Sequence, residues 1–287
     1  MNNLKFIVMD VDGTLLNSKK KLSKETKDAL MKCQEQGIRV ILASGRPSSG
    51  LAKLALELEM QKHHGMIVSY NGSKIHDCET DEILFNEPMT LIEAKAVLEH
   101  LKSFNVYPMI DKDKYMYVNN VFAPPILFQN KELNIIEYEA RGGNYLLCEK
   151  SDLVAFIDFA PNKILTAGQI EYLEENYQKM MEPFKDSLSC MFTAPFYFEF
   201  TAKGIDKAKA LDTALSKLGF GPENLIAFGD GHNDISMIRY AGIGIAMDNA
   251  VLELKEVADF VTDSHDFDGI AKALYQHFPE IFESEIN

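Results

Sequence analysis

The sequence predicts an α/β protein: a doubly wound, mainly parallel core built from both ends of the chain and interrupted by an inserted α+β domain. Strand-like and helix-like periods alternate from Leu4 to Ser69, and the same alternation returns from Asp206 to Thr262. Between them the texture changes to aromatic, strand-like runs. At 287 residues the chain has room for two domains of about 150 residues, each with its own core. The expected boundaries are 1–87 and 196–287 for the core and 88–195 for the insert.

Taken in order, Leu4 to Met9 is a short apolar strand. Ser23 to Gln36 is a helix: Ala29, Leu30 and Cys33 recur at helical spacing, Ser23 can cap its start and Gly37 can end it. Strand Ile38 to Ala43, helix Ser48 to Met60 and strand Met66 to Ser69 complete a βαβαβ unit. Apolar strands between such helices suggest a parallel sheet covered on both faces. In the insert, Leu91 to Phe104 and Ile170 to Met181 read as helices, and "KYMYV" (Lys114 to Val118) and "FYFEF" (Phe196 to Phe200) as strands whose aromatics belong to a core. "RGG", Arg141 to Gly143, reads as a hairpin turn. The last stretch gives helix Asp206 to Leu218, strand Leu225 to Phe228, helix Asp234 to Tyr240, strand Gly244 to Met247, helix Val251 to Val257 and strand Phe260 to Thr262. An insert carried on two crossing linkers can open and close.

Composition narrows the function classes. With 46% hydrophobic and 25% charged residues the chain is of the ordinary globular type. A net charge of -14 without a basic stripe argues against nucleic-acid binding, which neutralises phosphates with clustered Lys and Arg. The one lysine cluster, Lys19 to Lys21, reads as a solvated loop without function. Four widely spaced cysteines form no C-x-x-C pair and read as reduced thiols. No apolar run approaches the roughly 18 residues of a membrane helix, and Asp10 interrupts the N-terminal one. A cytoplasmic protein, monomeric or a small homo-oligomer and without membrane partners, is expected.

In an open parallel sheet ligands bind beyond the carboxyl ends of the strands. The polar residues there are Asp10, Asp12 and Thr14 after the first strand, Ser44, Gly45 and Arg46 after the second, and Gly229, Asp230, Asn233 and Asp234 after "LIAF", with Lys203 and Lys207 near the late helix. Converging carboxylates stay ionised together only beside a cation. Oxygen donors without His or Cys at metal spacing suit Mg²⁺, with Asp10, Asp12 and Asp230 as candidate ligands. Ser44, the Gly45 backbone and Asn233 offer neutral donors, and Lys207 a positive charge, of the kind phosphoryl transfer needs. Asp10 can then attack phosphorus, and Asp12, two residues on along extended backbone, can serve as acid and base.

The motifs "DVDGT", "ASGRP", "KGIDK" and "GDGHNDISMI", in that order, resemble those of the haloacid dehalogenase superfamily of phosphatases over the whole chain. The position and size of the insert resemble the Cof-like subgroup, with an α/β cap on a Rossmann-like core and mostly small phosphate-ester, often sugar-phosphate, substrates. "YNG" and "AMDNA" fit the same pattern. The resemblance implies that Asp10 is the nucleophile and a Mg²⁺ ligand, and that Asp12 is the acid/base with its backbone carbonyl on the metal. It also implies that Asp230 completes the metal site. Val11 through its backbone, Ser44, Gly45, Lys207 and Asn233 would meet the phosphoryl group, with Asp234 in support. It favours Lys207 over Lys203. Ser44 stands where many relatives have Thr, and His232 fills a variable loop position read as an exposed histidine without a role.

Competing phosphate motifs fail: Gly45 to Gly50 has Walker A glycine spacing, but Leu51 and Ala52 replace its Lys and Ser/Thr, and Met247 occupies the third glycine position of a dinucleotide fingerprint begun at Gly242. The expected function is Mg²⁺-dependent hydrolysis of small phosphate monoesters through an aspartyl-phosphate on Asp10. The alternatives are a phosphomutase and a non-catalytic phosphate-ester sensor.

Overall fold

The computed structural model describes residues 3–282. They form two compact units, one of the described residues up to 86 together with those from 206 onward, and one of residues 87–205. The run Tyr197–Ala202 is a strand of the second unit, so that unit continues beyond the boundary expected at 195. The aromatic strand is the reason: it pairs on both sides with strands of its own unit.

The first unit contains, in order, β1 (Phe6–Met9), α1 (Lys24–Glu35), β2 (Arg39–Ala43), α2 (Ser48–Glu57), β3 (Met66–Ser69), β4 (Lys74–Asp77) and β5 (Ile83–Asn86). The chain returns to it with α3 (Lys207–Lys217), β6 (Leu225–Gly229), α4 (Ile235–Tyr240), β7 (Ile243–Ala246), β8 (Phe260–Val261) and α5 (Gly269–His277). The sheet order is β8-β7-β6-β1-β2-β3-β4-β5. Six strands run parallel, and β4 and β5 add an antiparallel edge that the sequence reading did not assign. The helix expected to Met60 stops at Glu57, because Glu59 adopts a left-handed conformation (φ 50°). That expected over Val251 to Val257 is one short turn, Leu252–Lys255.

β1 lies at the centre and is buried throughout. Its side chains alternate between two cores, as the two-residue period of a strand requires. Ile7 and Met9 pack with Leu30, Cys33, Leu51 and Ile270 from α1, α2 and α5. Phe6 and Val8 pack with Leu211, Leu215 and Ile238 from α3 and α4. After β1 the chain winds to β2 on one side, and β6 later pairs on the other. The carboxyl ends of β2, β1 and β6 therefore meet at a switch in winding direction, where a crevice opens in sheets of this type.

The second unit has a six-stranded sheet in the order Leu146–Glu149, Tyr115–Val118, Tyr107–Lys112, Lys163–Ala167, Tyr197–Ala202 and Leu188–Ala194. Helices Leu91–Leu101 and Ile170–Met181 cover one face, packing Val97, Leu98 and Leu173 on Ile164, Phe198 and Phe200. On the other face Ile126, Ile135 and Ala140 pack on Met109, Leu165 and Tyr197. Arg141 and Gly142 end the helix Ile135–Gly142, with Gly143 as its cap, so "RGG" closes a helix and is not a hairpin turn. Among the described residues no helix is long and apolar enough to cross a membrane.

Phe228 of β6 is wholly buried one residue before the strand tip. Phe228→Ala is expected to cost about 3–5 kcal/mol, read as a lower urea midpoint with an unchanged slope.

Candidate active site

β1 ends at Met9, but the Asp10 N–H still donates to the Phe228 carbonyl at 3.0 Å. That bond holds Asp10 at the strand tip, only 6% exposed, where an ionised carboxylate requires a partner. The partner is Lys207. Asp206 caps α3 by accepting the Ala208 and Lys209 N–H groups at 2.8 and 3.0 Å, which sets Lys207 as the first residue of the helix. Its Nζ donates to Asp10 Oδ1 at 2.7 Å, Asp234 Oδ1 at 2.6 Å and the Ala43 carbonyl at 2.8 Å. An ammonium has three donors, and here they reach β1, β2 and the turn after β6.

Burial pushes the Asp10 carboxyl up to about 7 against the pull of Lys207, with Asp234 and Asp230 adding to the rise. Burial works to lower Lys207, but Asp10 and Asp234 outweigh it and keep the ammonium above the usual lysine value.

The turn after β6 is closed on itself. Asp234 Oδ2 accepts the Asp230 and Gly231 N–H groups at 3.0 and 2.9 Å, so both its oxygens are engaged. Asp230 Oδ1 accepts from Thr14 Oγ1 at 2.7 Å, and burial raises the Asp230 carboxyl above its ordinary range. Gly13 lies between them at φ +88°, and a β-carbon there would overlap the Asp230 carboxylate. No other residue fits that approach. Oxygens of Asp10, Asp230 and Asp234 lie within 4.8 Å of one another. Asp10 and Asp230 each keep one oxygen outside these hydrogen bonds, and a hard divalent cation fits such an oxygen-only set.

Asp12 is placed differently. Its carboxylate turns to Arg46, whose Nε and Nη2 donate to Oδ2 and Oδ1, each at 2.7 Å, and to Lys20 Nζ at 2.8 Å. The acidic cluster therefore holds Asp234 and not the Asp12 side chain. Lys20, read from sequence as a solvated loop lysine, is a partner of Asp12. Burial works to raise Asp12, but Arg46 and Lys20 outweigh it and hold its carboxyl below the ordinary range.

Ser44 is buried, its N–H donating to the Val68 carbonyl at 2.9 Å. Its Oγ accepts the Arg46 N–H at 3.2 Å, which leaves the hydroxyl proton to donate elsewhere. The Val11 side chain is in the core and its carbonyl accepts the Leu16 N–H at 2.9 Å. Asn233 Nδ2 donates to Asn71 Oδ1 at 3.0 Å. Lys203 belongs to the second unit, where its Nζ donates to the Asp186 carbonyl at 2.6 Å, so Lys207 is the lysine beside Asp10. His232 is exposed, with Nε2 3.6 Å from Glu253 Oε2. Asn71, within the "YNG" that follows β3, carries no role in the sequence analysis, although reading the polar residues beyond strand ends assigns it one.

A sequence profile for haloacid dehalogenase-like hydrolases matches residues 7–274. A 5-amino-6-(5-phospho-D-ribitylamino)uracil phosphatase of Bacillus subtilis is 31% identical over 277 residues, covering 95% of each chain. A pyridoxal phosphate phosphatase of Escherichia coli is 27% identical over 271 residues, 94% of this chain and 97% of that one. A solved haloacid dehalogenase-like hydrolase from Bacteroides thetaiotaomicron superposes with a TM-score of 0.87 at 33% identity, covering 95% of this chain and 99% of that one.

Removing Lys207 leaves two buried carboxylates in apposition. Lys207→Met is expected to destabilise the protein by about 3–5 kcal/mol, a loss partly relieved in Lys207→Met/Asp234→Asn. Urea denaturation checks both, and equal stability of the single variant and wild type would contradict the buried pairing.

Proposed function

The chain belongs to the haloacid dehalogenase-like hydrolases, and on that premise we propose that it hydrolyses small phosphate monoesters, sugar phosphates among them, through a phosphoryl group carried on Asp10. That it is a phosphatase follows from the family and from relatives that bear that name. The observation that carries the finer reading is the triple contact of Lys207 with Asp10, Asp234 and the Ala43 carbonyl. It fixes one oxygen of Asp10 and leaves the other for attack.

In the first step Asp10 Oδ2 forms a bond to phosphorus as the bond to the leaving oxygen breaks, and Asp12 protonates the departing alkoxide. In the second, water attacks the phosphoryl group on Asp10, Asp12 takes its proton, and inorganic phosphate leaves. The Ser44 hydroxyl, the Gly45 and Val11 N–H groups and the Asn233 amide would donate to the phosphoryl oxygens as charge spreads over them. Arg46 and Lys20 hold Asp12 ionised, the form the second step needs. A phosphoryl dianion arriving nearby competes for those cations and lets Asp12 carry the proton of the first.

Mg²⁺ would be held by the oxygen that Asp230 keeps in reserve, with the Asp10 carboxylate and the Asp12 carbonyl as further ligands. When bound, it offsets the charge that two carboxylates and a phosphoryl dianion bring together. Asp234 supports the site from behind, its oxygens already engaged.

Asp10→Asn is expected to lower p-nitrophenyl phosphate turnover by about three orders of magnitude or more, and wild-type turnover would refute the nucleophile. EDTA is expected to abolish activity and added Mg²⁺ to restore it, with free phosphate as the readout.

A further inference from the structure

We propose that Asn71 is a positioning residue that sets the amide orientation of Asn233 toward the phosphoryl group. The inference rests on the reading above, in which Asn233 donates to that group. In the turn after β3, Tyr70, Asn71 and Gly72 are left-handed in succession, with φ of 52°, 56° and 104°. A bulky L-residue such as Tyr70 avoids that region, and such strain persists only where the surroundings dictate it.

The surroundings are the other loops of the site. The Tyr70 N–H donates to the Arg46 carbonyl at 3.1 Å and the Asn71 N–H to the Ser44 carbonyl at 3.0 Å. Those two bonds clamp the turn to the loop after β2. The Asn71 amide then lies against Gly45, where a β-carbon would be 3.0 Å from its Nδ2 and 3.1 Å from its Oδ1. At Gly72 a β-carbon would stand 2.5 Å from the Asp206 carbonyl oxygen and 2.9 Å from the Lys207 nitrogen. Three residues thus touch the segments carrying Ser44, Gly45 and Lys207.

Asn71 Oδ1 reaches the fourth segment by accepting from Asn233 Nδ2 at 3.0 Å. An amide is a donor at one end and an acceptor at the other, and only its hydrogen-bond partners decide which way it faces. With one N–H of Asn233 committed to Asn71 beside Gly45, the second N–H is presented to a phosphoryl oxygen held there. The carbonyl oxygen, which would repel it, faces away. A residue chosen only because asparagine tolerates left-handed backbone would fill the turn equally well without this bond.

The test is a double-variant cycle on the full chain, measuring KM and kcat for p-nitrophenyl phosphate, inhibition by inorganic phosphate, and thermal unfolding. Asn71→Gly keeps the backbone conformation and removes the amide. It is expected to raise KM and the inhibition constant of phosphate about tenfold, the consequence of one lost hydrogen bond, with little change in unfolding temperature. Asn71→Gly/Asn233→Ala is expected to bind phosphate no more weakly than Asn233→Ala, because one residue acts through the other. Wild-type phosphate binding in Asn71→Gly, or losses that multiply in the double variant, would overturn the proposal. Wild-type phosphate binding in Asn233→Ala would instead overturn the placement of Asn233 on the phosphoryl group, and the role of Asn71 with it.

Discussion

The site depends on one buried ammonium. Lys207 is 1% exposed and carries its charge beneath the tips of β1, β2 and β6, where three acceptors must be present to compensate it. Each of its bonds fixes something different. The bond to Asp10 orients a carboxylate whose other oxygen can react, the bond to Asp234 braces the turn that carries Asp230, and the bond to Ala43 ties in the strand that leads to Ser44. A charge held this way cannot leave without stranding two acids, so losing the lysine costs stability.

The sheet supplies the coordinates for that arrangement. Parallel strands put their carboxyl ends at one edge, and the reversal of winding at β1 opens the crevice there. Close approach between the loops then requires glycine at particular points. Gly13 lets the chain pass Asp230, and Gly72 lets the turn after β3 rest on the start of α3. The same turn carries Asn71 to Asn233, so the strained segment links parts of the site that come from distant stretches of sequence.

The α/β class and most core elements were legible because apolar strands and amphipathic helices alternate, and because Ser23 and Asp206 mark helix starts. Asp10, Asp230 and Asp234 were legible because each follows a strand tip, and Lys207 because it stands at the start of a helix within "KGIDK". The rest depended on tertiary geometry. Nothing in "KKK" says that Lys20 turns back to Asp12, since a loop conformation decides it. "RGG" carries turn residues, but the packing of Ile135, Ile136 and Ala140 extends a helix to Gly142. β4 and β5 are short; β4 pairs to β3 across the tight turn at Tyr70–Gly72, which has no periodic signal, and β5 pairs to β4.

The claim on which this account turns is that Asp10 carries the phosphoryl group between the two half-reactions. Acid-quenching the enzyme in the steady state with a phosphate monoester, followed by peptide mapping by mass spectrometry, tests it directly. The account predicts one added phosphoryl group on the peptide containing Asp10, lost on exposure to neutral hydroxylamine. A phosphoryl group on any other residue would contradict it, as would turnover without a phosphorylated enzyme under conditions where its breakdown limits the rate.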